Sequence, residues 1–279
     1  MKKPPAPAHI PEIRAGQSRE LLQELHILTR DGKLNQDSRR KLKQVYHLVQ
    51  FIEPLLLDAE TLVDHGAGKS YLGFILYDLC FKARESWQKS GEIIGIENRP
   101  ELVTRSRQLA ERLGFARMRF LACTVEESLA APELPPRVDV VTALHACDTA
   151  TDDAIRFALD RQARHIVLVP CCQAEVAAAM RAGKNESLGK TPLAELWRRP
   201  LHTRELGSHL TNVLRCLLLE AHGYDVTVTE LVGWEHSMKN ELIIANRRPN
   251  DTPRKNARER AEAILREFNI EGLAGRFVY

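Results

Sequence analysis

From Glu60 to about Arg248 short β-branched apolar runs alternate with longer amphipathic stretches, the pattern of a parallel sheet whose strands are joined by helical crossovers. The runs predict strands at Thr61–Val63, Ile93–Ile96, Met118–Ala122, Val138–Leu144 and Ile166–Val169, with helices at Ser70–Lys89 and Pro100–Leu113 among the connections. The end of the pattern differs. Tyr224–Val232 and Glu241–Asn246 are strand-like runs joined only by Gly233–Asn240, too short for a helical crossover, so they pair antiparallel. A helix over Leu210–His222 leads into this pair, leaving Lys184–Ser208 as a loose excursion. Ahead of the sheet, Ser18–Leu57 reads as two helical pieces broken at Thr29–Gly32. In the second piece Arg39, Arg40, Lys41 and Lys43 precede apolar Leu42, Val45, Leu48, Val49 and Ile52, and Pro54 marks its end. The organisation expected is a disordered leader (1–17), a helical extension (18–57), an α/β domain (58–248) and a helical tail (249–279), with Arg254–Phe268 as the tail's helix.

The first strand runs into Asp64-His65-Gly66-Ala67-Gly68-Lys69-Ser70, which predicts strand, tight glycine turn and helix. Such a turn lets a nucleotide approach the backbone while helix amides point at it. A phosphate loop needs a glycine five residues before Gly68, where Val63 stands, and a dinucleotide fingerprint needs a third glycine where Tyr71 stands. What remains is Asp-x-Gly-x-Gly followed by Glu97 and Asn98 at the end of the next strand. This constellation resembles the S-adenosylmethionine (SAM) site of class I methyltransferases. The resemblance implies a Rossmann-like seven-stranded sheet, five parallel strands plus a closing antiparallel hairpin, with SAM as cofactor. It implies that Asp64, His65, Gly66, Ala67 and Gly68 lie against the amino acid and ribose portion, and that Glu97 accepts hydrogen bonds from the ribose hydroxyls.

In open α/β sheets the ligand sits beyond the carboxyl ends of the strands. Strand three is followed by Cys123 and Thr124, where the family contacts the adenine through an Asp that is absent here; backbone amides are the expected substitute. Strand four ends in Leu144-His145-Ala146-Cys147-Asp148-Thr149-Ala150-Thr151-Asp152 and strand five in Val169-Pro170-Cys171-Cys172-Gln173. The pair resembles the branch that includes eukaryotic tRNA acceptor-stem ribose 2′-O-methyltransferases and their bacterial relatives; Asp148 stands where the eukaryotic motif has Gly, and Gln173-Ala174 where it has His-His. Leu144 is assigned to the cofactor, and His145 and Asp148 to proton removal from the acceptor. The competing reading of Asp148 is a cap on the helix starting at Thr149. Cys147, Cys171 and Cys172 are read as packing residues and no metal is expected, since no Cys-x-x-Cys spacing is present.

The resemblance also gives the hairpin turn a Glu-His-Thr-x-Lys-Asn segment, matched here by Glu235, His236, Ser237, Lys239 and Asn240, so Glu235, His236 and Lys239 join the acceptor-side candidates, against the plainer reading of a surface turn. Charge refines the substrate. The net balance of +3 neither requires nor excludes nucleic acid. Its distribution, basic residues in the second N-terminal helix and Lys184, Lys190, Arg198, Arg199 and Arg204 with Trp197 in the excursion, points to an RNA partner. Solvated helix faces and sheet-capping loops produce similar runs, and a noncatalytic RNA- or protein-binding module or a small-molecule or protein methyltransferase are the rival functions. With no apolar segment of membrane-spanning length, no signal-peptide pattern and six cysteines, a cytoplasmic protein is expected.

Overall fold

The computed structural model describes residues 12–82, 91–144, 146–170, 173–182, 192–230 and 241–279. Its strands are β1 (Thr61–His65), β2 (Glu92–Glu97), β3 (Met118–Ala122), β4 (Val140–Ala143), β5 (His165–Leu168), β6 (Tyr224–Glu230) and β7 (Glu241–Arg247). They form one sheet in the order β3-β2-β1-β4-β5-β7-β6. β1 to β5 run parallel, and β7 pairs antiparallel with both β5 and β6, as the short link predicts. The order reverses between β1 and β4, which makes their carboxyl ends the switch point where such sheets bind ligands. β1, β2, β4 and β5 are buried almost throughout, the mark of strands covered on both faces.

Helices α1 (Arg19–Glu24), α2 (Gln36–Ile52), α3 (Tyr71–Leu76) and α4 (Pro100–Arg112) cover one face. There Leu21, Leu42, Ile52 and Phe74 share a core with Leu62, Ile93 and Val140, so the N-terminal segment packs into the same core as the sheet. The other face holds α5 (Val125–Ser128), α6 (Thr149–Asp160) and α8 (Pro200–Ala221), where Ile155, Phe157 and Leu219 meet Val63, Ile94 and Val141. A third cluster joins α7 (Glu175–Ala182) and α8 to α9 (Ala257–Glu267) and α10 (Ala274–Phe277) through Met180, Leu214, Leu265 and Phe277. Arg254 and Arg260 both donate to Glu220, so the tail is bolted to α8.

Three expectations need correction. The helix expected from Ser70 to Lys89 is α-helical only to Leu76 and continues as a π-helix over Tyr77–Phe81; residues 83–90 lie outside those described. α8 begins ten residues before the expected Leu210, because Pro200 sits in the first helical turn, where its missing N–H costs nothing. The excursion is correspondingly shorter, with a 3-10 helix at Pro192–Trp197 and residues 183–191 not described. The tail helix starts at Ala257 rather than Arg254, after Asn256 in the left-handed region.

Gly207 is the contact that lets α8 lie against α7. A Cβ there would stand 2.6 Å from the Ala177 Cβ and 2.8 Å from its backbone nitrogen. Gly207→Ala should therefore lower stability by about 2 kcal/mol, although alanine gains up to about 1 kcal/mol in helix propensity. An unchanged or higher urea midpoint would show that α7 yields instead.

Candidate functional site

The turn after β1 uses three left-handed residues, Gly66 (φ 65°), Gly68 (φ 59°) and Ser70 (φ 53°), to enter α3. It is strapped to the end of β2, with the Ala67 N–H donating to the Ile96 carbonyl (2.9 Å) and the Gly68 N–H to Glu97 Oε2 (2.8 Å). Glu97 also accepts from the Arg99 N–H (3.1 Å), Nε (2.8 Å) and Nη2 (3.2 Å). Burial alone would raise the Glu97 carboxyl, but these donors outweigh it and hold it below the usual carboxylate range.

Asp64 has the opposite fate. It is buried opposite Thr142, its register partner on β4, and Thr142 Oγ1 donates to Oδ1 at 2.6 Å. Burial dominates and pushes its pKa up to about 7, with the Thr142 hydroxyl opposing. Because side chains alternate along a strand, His65 points to the other face. Its ring meets Phe157 edge-on at 4.6 Å, neither ring nitrogen has a hydrogen-bond partner, and burial depresses its pKa to about 3. The assignment of His65 to the cofactor is therefore corrected for its side chain, which lies outside the cavity.

That cavity, about 790 Å³, opens at the carboxyl ends of the strands. Asp64, Gly66, Ala67 and Gly68 form its floor side; Glu97 and Asn98 follow from β2, Cys123 and Thr124 from β3, and Leu144 from β4. The Thr124 amide is not free for an adenine edge. It donates to Glu127 Oε2 (2.7 Å) while the Thr124 hydroxyl accepts from the Glu127 N–H (3.1 Å), a capping box that starts α5. Burial, assisted by Glu127 and Glu133, raises the Cys123 thiol. The opposite wall comes from the N-terminal helices, through Leu25, Ile27, Lys41, Val45 and Leu48, with Tyr71 and Leu72 beside them. No local signal in the sequence placed these residues at the site.

Asp148 is outside the cavity lining, and although it holds the N-cap position of α6 its side chain does not cap the helix. It makes no capping hydrogen bond, and its φ of 53° and ψ of −122° cost on the order of 1–3 kcal/mol for a residue with a Cβ. Its Oδ1 accepts from the Ala174 N–H (3.0 Å), and its carbonyl accepts from Arg215 Nη2 (2.9 Å). Arg215, fully buried on α8, also donates to both oxygens of Asp152 (2.6 and 2.9 Å). Its neighbour Asn212 receives Gln173 Nε2 (2.8 Å) and donates to Glu241 Oε2 (2.7 Å). One helix thus ties the roots of the loops after β4 and β5 to the start of β7. Cys147 lines the cavity beside this network. His145, Glu235, His236 and Lys239, and also Cys171 and Cys172, lie outside the described residues. Among the described residues no three His, Cys, Asp or Glu side chains converge as metal ligands, and no helix is long and apolar enough to cross a membrane.

A family model described as a methyltransferase domain matches residues 40–179, half of the chain. A glutathione S-transferase C-terminal domain-containing protein from Bos taurus is 24% identical over 243 residues, covering 78% of this chain and 35% of that protein; its Homo sapiens counterpart is 24% identical over 180 residues, covering 64% and 25%. The chain spans about a third or less of the length of these relatives. Solved structures with a similar outline include an rRNA methylase from Streptococcus thermophilus (10% identity, TM-score 0.44, 72% of this chain and 93% of that one) and Aeropyrum pernix fibrillarin with bound SAM (14%, 0.44, 74% and 74%).

The neighbouring Asp64 and His65 give opposing pH dependences. The folded chain holds a proton on Asp64 between its ordinary 3.8 and about 7, so this residue's stabilisation is lost as pH rises through that window. The unfolded chain protonates His65 below its ordinary 6.5 while the folded chain does so only near 3, so stability is lost as pH falls between them. The two slopes cancel between 3.8 and 6.5. Asp64→Asn should expose the histidine slope, a loss on the order of 3 kcal/mol on acidification across that window, and His65→Leu the reverse slope. Urea midpoints measured against pH with slopes of equal sign in both variants would refute these assignments.

Proposed function

The chain belongs to this methyltransferase-domain family, and from that membership we propose that it transfers a methyl group from SAM to an RNA. The observation that carries the cofactor half is the Gly68 N–H donating to Glu97, which joins the glycine turn of β1 and the acid of β2 on one cavity at the switch point. The residues fit the cofactor once the exposed Arg99 side chain gives up its two hydrogen bonds on Glu97 to the ribose hydroxyls: the carboxylate is held ionised, the glycine turn is open to a ligand, and the cavity is about 790 Å³. Glu97 and Asn98 would hold the ribose, the Gly66–Gly68 backbone the amino acid portion, and Cys123 and Leu144 would flank the adenine. SAM supplies a methyl group that is already electrophilic. The protein's share is then to orient the acceptor and, where the acceptor requires it, remove a proton. His145, Glu235, His236 and Lys239 are the groups proposed for that side.

The RNA half rests on α2. Arg39, Arg40, Lys41 and Lys43 are exposed around it, Arg39 paired with Glu12, and Lys41 stands on the cavity wall, so the helix brings one cation to the mouth and others to the neighbouring surface where a phosphate backbone would pass.

Two measurements test this reading separately. Glu97→Ala should weaken SAM binding by at least about tenfold in calorimetry, well beyond its effect on the urea midpoint; an unchanged affinity would overturn the cofactor site. RNA filter binding should weaken steeply with salt, and a flat response removes RNA as the substrate.

A further inference from the structure

Cys147–Asp148–Thr149–Ala150 is a tight turn closed by the Ala150 N–H on the Cys147 carbonyl (3.2 Å). With φ 53° and ψ −122°, Asp148 occupies the first central position of a type II′ turn, which glycine takes because a Cβ there is strained. An aspartate stands in a glycine position although its carboxylate neither lines the cavity nor caps α6. What the carboxylate does instead is accept the Ala174 N–H, across the gap between the loops that follow β4 and β5. From the other side Arg215 holds the Asp148 carbonyl, so the residue is gripped at both its side chain and its backbone. The preceding residue, Cys147, faces the cavity, and Ala174 lies two residues beyond the Cys171-Cys172 pair.

We propose that Asp148 is a positioning residue, a clasp that fixes the loop after β4 to the loop after β5 and so sets the acceptor side of the cavity. The inference rests on the methyltransferase reading for its consequence but not for its geometry. It also replaces proton acceptance as the role of this carboxylate, because Asp148 does not line the cavity in which an acceptor would sit.

Two variants of the full chain separate the roles. Asp148→Gly relieves the turn and removes the clasp. Its unfolding midpoint should stay level or rise, hydrogen exchange at the Ala174 amide should accelerate by about tenfold or more, and methyl transfer should fall by about tenfold or more at unchanged SAM affinity. Asp148→Asn keeps an oxygen for Ala174 and should restore both the protection and most of the transfer. Unchanged protection at Ala174 in Asp148→Gly overturns the clasp. So does an Asp148→Asn protein that protects Ala174 yet transfers no better than the glycine variant, since the charge would then be what matters. If the unaltered protein binds no SAM and transfers no methyl group, the proposed function fails, while exchange at Ala174 still decides the clasp on its own.

Discussion

The hydrogen bond from the Gly68 amide to the Glu97 carboxylate is the constraint around which the site is arranged. It joins two strand ends that the register already sets side by side, His65 beside Ile96, and it requires a turn whose amide can face sideways toward the neighbouring strand. Positive φ at Gly66 and Gly68 provides that turn. Glu97 and Asp64 show how donor number decides the state of a carboxylate. Glu97 gathers an amide from the turn and three donors from Arg99, and charged hydrogen bonds worth about 1.5–3 kcal/mol each outweigh its desolvation. Asp64 has the Thr142 hydroxyl and full burial, and burial wins.

The sheet was legible because its signals are local. Apolar runs of strand length, the glycine turn and the acid after β2 each sit within a few residues, and the short link before β7 excluded a crossover. Two features of the site, the direction of the His65 side chain and the engagement of the Thr124 amide, also had local signals. Strand alternation places His65 opposite Asp64, and Thr124-x-x-Glu127 is a capping-box spacing that commits the Thr124 amide. Other parts of the site had no such signal. Arg215 lies among apolar helix residues and reads as an ordinary polar position, and its meaning comes from Asp152, 63 residues earlier. The strain at Asp148 had only an indirect signal, the Gly that the eukaryotic motif carries at that place, because the glycine that would itself announce a type II′ turn is absent here.

The N-terminal helices change what the domain is. Their apolar faces are continuous with the core under β1 and β2, and the same helices supply a wall of the cavity. The family match begins at residue 40, inside α2, and residues on both sides of position 57 share one core. A basic amphipathic helix seen alone is equally a solvated cover and a binding face. In this fold it does two things: Leu42 and Val49 are buried in the core, while Lys41 lines the cavity.

The α8 network makes a different kind of contribution. A fully buried Arg215 paired with Asp152 is weak evidence of added stability, because desolvating two charges offsets most of what their attraction returns. Such a pair has directional consequences all the same. The guanidinium plane fixes Asp152 in the first turn of α6 and the Asp148 carbonyl just before it, while Asn212 one turn away fixes Gln173 and Glu241. An apolar replacement would fill the volume without specifying any of these orientations. The network therefore explains how three loop roots from distant parts of the chain keep one arrangement around the cavity, and why the chain tolerates strain at Asp148 to complete it.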